Sequence, residues 1–93
     1  MTRQPSPHDY RLVLEAILTE LALYAKELCP NANVEASALH YEDEDGRVEV
    51  FPPPGLPDAE EERIEHALAE RSAALFAETG LYVPCAVLDA TAR

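Results

Sequence analysis

Between residues 9 and 29 the apolar side chains recur at spacings of three and four: Leu14, Ile17, Leu21, Tyr24 and Leu28. That is one stripe of an amphipathic helix, with Arg11, Glu15, Thr19 and Lys26 on the wet side. Leu12, Val13, Leu18 and Leu23 widen the apolar side beyond a single stripe. Asp9 stands where an N-cap would stand. Pro30 ends the helix, because the residue before a proline is biased out of helical conformation.

From Val34 the period falls to two. Glu35, Ser37, Leu39 and Tyr41 point one way, and Val34, Ala36, Ala38 and His40 the other. After four consecutive acids and Gly46, Val48 and Val50 alternate with Arg47, Glu49 and Phe51. A loop over Asp43 to Gly46 sets Tyr41 opposite Val48 and Leu39 opposite Val50. A tighter Asp45-Gly46 turn shifts the partners by two and keeps the faces, so the pattern predicts a hairpin with Asp-Gly chemistry. "FPPPGLPD" ends the second strand, since its prolines donate nothing to a ladder.

Asp58 begins a second helix, with Glu61 three residues on in a capping-box arrangement. Glu60, Glu61 and Glu62 suit its positive end. Ile64, Ala67, Leu68, Ala74 and Leu75 form the expected buried side, with Arg71 interrupting it, and Gly80 fits a left-handed cap. The nearly all-apolar run 81–90 predicts a last strand, which Pro84 confines to an edge or a bulge. The order helix–strand–strand–helix–strand predicts an α+β fold, a two-layer sandwich with two helices on one face of a small mixed sheet. The domain is expected over residues 9–90, after a flexible N-terminal arm over residues 1–8.

The order is similar to that of type II KH-like domains and of some secretion chaperones. The likeness is one of topology and carries no residues over: the GxxG loop of KH domains is missing. Charge points away from RNA as well. Eighteen Asp and Glu against seven Lys and Arg leave a net charge of −11 in 93 residues. Such a field repels phosphate backbones and anionic lipid, so nucleic acid and membrane are excluded as expected partners. No run reaches the roughly 18 apolar residues of a membrane span, and no secretory signal precedes the first helix. The expected compartment is cytoplasmic, with Cys29 and Cys85 as reduced thiols.

The candidate chemistry is thin. Aligning Gly46 with the glycine of an EF-hand loop puts Tyr41 and Pro52 where that loop needs carboxylates, so Glu42–Gly46 is read as a turn. Glu62, His66 and Glu70 share a helix face without an HExxH or ExxH pair. His40 pairs across the hairpin with Glu49 rather than with a nucleophile. Pro54-Gly55-Leu56-Pro57 matches PxxP but runs into acids, and a stiff connection explains it. The chain therefore carries no assigned catalytic, cofactor or metal residue and is not expected to be an enzyme.

The expected function is a small acidic interaction domain, with homodimerisation through an open sheet face as one form of it. Ala36, Ala38 and Phe51 are the protein-binding candidates on that face. The alternative is a chaperone-like adaptor for a cationic protein partner.

Overall fold

The computed structural model describes residues 7–38 and 43–88. Helix α1 spans Pro7–Leu28 and starts two residues before Asp9, which lies in its first turn instead of capping it. A proline suits a first helical position, where its missing N–H would have had no partner within the helix. The helix thus takes in the end of the expected arm, and residues 1–6 lie outside the described residues. Leu14, Ile17, Leu18, Leu21 and Ala25 are buried, while Tyr24 and Leu28 pack half-buried against them. Leu12 and Leu23 stay exposed, so only part of the widened apolar side enters the core. The exit is tied by Lys26, whose Nζ donates to the carbonyls of Pro30 at 3.0 Å and Ala32 at 2.7 Å. A cation there also complements the helix's negative end.

Strands β1 (Asn33–Ser37) and β2 (Arg47–Phe51) pair antiparallel, and β3 (Cys85–Val87) pairs parallel to β2, giving the order β1-β2-β3. The register corrects the expected hairpin. Val34 lies opposite Val50 and Ala36 opposite Val48, in place of Leu39 and Tyr41. The partners move by five residues, and an odd shift turns every β1 side chain over. Val34 thereby joins Val48 and Val50 on the helix-covered side, while Glu35 and Ser37 face away with Arg47 and Glu49. The other register would have put a carboxylate under the helices, a costly burial. Leu39, His40, Tyr41 and Glu42, including the expected His40–Glu49 pair, lie outside the described residues.

Gly46 is where the chain passes close beneath α1. A Cβ there would lie 2.8 Å from the Ser37 carbonyl oxygen and 3.3 Å from side-chain carbons of Leu14 and Leu18. The glycine is needed for this close approach, since the chain's positive-φ glycines are Gly55 and Gly80.

Helix α2 spans Asp58–Thr79 and is preceded by Pro57, with no side-chain cap, so the capping box of Asp58 and Glu61 does not form. The Glu60 and Glu61 amides donate to the Pro57 carbonyl at 3.0 and 3.1 Å. Asp58, Glu60 and Glu61 act through the helix dipole instead. Gly80 closes the helix in the left-handed conformation, φ 77°, as expected. Ile64, Leu68, Ser72 and Leu75 are buried, whereas Ala74 is exposed. Ser72 is tolerated inside because its hydroxyl donates to the Val83 carbonyl. Arg71 crosses to α1, 3.0 Å from Glu20 and 4.3 Å above the Tyr24 ring, which accounts for a cation within the apolar pattern.

The last strand is shorter than the run 81–90, beginning after Pro84 at the sheet edge. Leu81 and Val83 remain buried outside the strand, the Val83 carbonyl bonded to Ser72 of α2. Among the described residues no helix is long and apolar enough to cross a membrane.

Candidate functional site: the seam between α2 and β3

Ala36, Ala38 and Phe51 do not come together. Phe51 lies opposite Asn33 and Ala36 opposite Val48, positions on opposite faces of the sheet. Ala38 is exposed beyond the end of β1, and Phe51 is only 7% exposed. The face away from the helices carries Glu35, Ser37, Arg47 and Glu49 beside Phe51, which is itself buried, so its exposed part is polar.

Among the described residues of the acidic turn, Asp45 and Glu44 have internal partners. The Asp45 amide donates to the Tyr82 carbonyl at 2.8 Å, and the Tyr82 amide donates back to Asp45 Oδ2 at 2.7 Å. The Tyr10 hydroxyl donates to Asp45 Oδ1 at 2.7 Å. One side chain thus ties the start of α1 to the segment before β3. Burial, then the hydrogen bond and charge of Asp45, push the Tyr10 hydroxyl up to about 12. Glu44 accepts from Arg47 Nη2 at 2.8 Å. No group of three or more His, Cys, Asp or Glu among the described residues is placed to hold a metal ion. The His66 and Glu70 side chains lie 3.6 Å apart and largely in solvent.

The concave surface lies elsewhere. A groove of about 500 Å³ runs between α2 and the chain leading into β3. Ala69, Ser72, Ala73 and Phe76 supply its helical wall. They form a strip roughly a third of a turn from Ile64, Leu68 and Leu75, at about 100° per residue. Tyr82, Pro84 and Cys85 supply the opposite wall, and Asp43 stands at the lip. The alanines leave the space; the Phe76 and Tyr82 rings meet edge to face, centroids 6.1 Å apart. Both rings stay open to solvent, at 50% and 42% exposure. A groove of this size with apolar walls and few polar groups has the character of a binding site.

Farther along β3 a smaller hollow of about 170 Å³ is lined by Asp58, Glu61, Glu62, Glu65 and Val87. Cys85 and Val87 stand two residues apart on one strand and so point to the same side. The apolar groove and the acidic hollow therefore lie in sequence along one seam. Two groups on its lining could carry chemistry, Cys85 and Ser72. Burial pushes the Cys85 thiol up to about 11, which disfavours the thiolate. The Ser72 hydroxyl is engaged with Val83.

Sequence pattern alone did not single out Phe76 or Tyr82. The usable signal was Phe76 itself, a large aromatic standing off the Ile64–Leu68–Leu75 stripe. Comparison with known proteins finds no matching family model, no similar curated protein and no similar solved structure.

Proposed function

We propose that the protein is a small, non-enzymatic interaction domain that binds a cationic polypeptide along the α2–β3 seam. The observation that carries this reading is the half-exposed Phe76–Tyr82 pair on an apolar groove beside the acidic hollow. Aromatic anchors supply much of the energy of protein interfaces, and complementary charge supplies steering and selectivity. The net charge of −11 favours a basic partner and opposes a second copy. Homodimerisation through the sheet face is less favoured in this reading, because Phe51 is buried and the side chains exposed there are polar. Cys29 and Cys85 are free thiols, which fits a reducing, cytoplasmic setting.

A peptide array tests the reading. Arrayed peptides that combine Lys or Arg with Leu, Val or Phe should retain the labelled protein, and their Asp and Glu counterparts should not. Phe76→Ser should lower retention by about tenfold or more, as loss of an aromatic anchor does. Retention without charge preference, or retention indifferent to that substitution, would contradict it.

A further inference from the structure

We infer that the partner enters as an added β-strand on the outer edge of β3, with an apolar and a basic side chain at alternate positions turned toward α2. This deepens the docking reading above and rests on it. The first support is the edge itself. Strand β3 meets β2 through bonds at alternate residues: the Val48 amide donates to the Pro84 carbonyl at 3.0 Å, and the Leu88 amide to the Val50 carbonyl at 2.8 Å. Parallel ladders alternate in this way, so Cys85 and Val87 turn their N–H and C=O groups outward. Among the described residues nothing bonds those outward groups.

The second support is room. Packed helices lie about 8–10 Å apart and strands about 4.8 Å apart, so two helices cover roughly four strands. Here α1 and α2 lie over three. The overhanging strip of α2 is the one that carries Ala69 and Ala73, whose small side chains let a backbone lie close beneath it.

The third support is the order of chemistry along the seam. Inward side chains of an added strand repeat every two residues, roughly 6.6–6.8 Å. That is the repeat from Cys85 to Val87. The side chain beside Cys85 meets Phe76 and Tyr82, and the next one, beside Val87, meets Asp58, Glu61, Glu62 and Glu65. The matching segment reads apolar–x–basic or its reverse, according to strand direction. A second copy paired through its own β3 would offer Cys85 and Val87 to the acidic hollow, with no cation, and would bring another charge of −11. Edge strands are commonly protected by lysine or by an inward charge, and Cys85-Ala86-Val87 has neither.

The peptide acetyl-Thr-Lys-Thr-Leu-Thr-Lys-Thr-amide tests this, because its symmetry presents the pattern in either direction. In amide-resolved NMR it should shift Phe76 and Tyr82 and slow exchange of the Cys85 and Val87 amides by about tenfold or more, as new backbone bonds do. Replacing both lysines by glutamate should weaken binding by about tenfold or more. N-methylation of one alternate set of peptide nitrogens should abolish binding, and of the other set should leave it within about threefold, because a strand turns only every second N–H toward its neighbour. Binding that shifts Phe76 and Tyr82 while both amides exchange freely, with the two methylated peptides alike, overturns strand addition and leaves the docking groove standing. No shift at millimolar peptide overturns both.

Discussion

Helix α2 carries two seams roughly a third of a turn apart, and they differ in kind. On one, Ile64, Leu68 and Leu75 meet the cluster that includes Leu21, Val48 and Val50, and the contact is dry. On the other, Ala69, Ala73 and Phe76 face Tyr82, Pro84 and Cys85 across an open groove. The same helix is core on one side and lines an open groove on the other. Residue size is half the reason: branched aliphatics fill the first seam, and alanines leave the second empty. Topology is the other half, since the sheet stops at β3 and nothing among the described residues underlies the outer side of α2.

Substitutions can break that contrast, beginning with the closed seam. Leu21→Ala and Leu68→Ala should each cost about 2–5 kcal/mol, as buried large-to-small changes do. A urea titration checks this, and a loss below about 0.5 kcal/mol would remove either residue from the core. Gly46→Ala should cost about 1–3 kcal/mol, because its Cβ has no space between Ser37 and α1. An unchanged urea midpoint would show that the chain does not pass so close to the helix.

Asp45 links the start of α1 to Tyr82 at the groove, and Asp45→Ala should cost about 1–3 kcal/mol by removing the carboxylate that accepts from both the Tyr10 hydroxyl and the Tyr82 amide. Alkaline titration sharpens the point. The folded state holds the Tyr10 proton up to about 12, whereas the ordinary value is 10.0. That part of the stability is complete below pH 10.0 and is lost as pH rises to about 12. Tyr10→Phe should abolish that part of the alkaline loss; an identical pH profile would contradict the assignment. Phe76→Ser should have the smallest effect on folding, within about 0.5 kcal/mol, because half of the ring already meets water. A large drop in the urea midpoint would make the second seam core as well.

The fold was legible where periodicity and punctuation agreed. The stripe from Leu14 to Leu28, the stop at Pro30, the left-handed cap at Gly80 and the edge position imposed by Pro84 all follow from local chemistry. Register was not legible, because both faces of the segment from Val34 to Tyr41 contain apolar residues. The choice fell to tertiary terms, namely the cost of burying Glu35 and the close passage of Gly46 under α1. The first helix starts two residues earlier than expected, at Pro7, while the second starts at Asp58 as expected but without its capping box; Asp9 and Asp58 both serve the dipole instead. The candidate site was least legible. Its walls come from residues 69–76 and 82–85, which lie far from any single sequence motif and meet only through the α2–β3 turn.

Amide hydrogen exchange on the free protein tests the open edge most directly. The Val48 and Leu88 amides, bonded across the β2–β3 ladder at 3.0 and 2.8 Å, should be slowed by about a hundredfold or more. The Cys85 and Val87 amides, one residue away from those bonds, should exchange within about tenfold of an unstructured chain. Equal protection of all four at every protein concentration would mean that the edge is already covered, and the receptor seam would not exist.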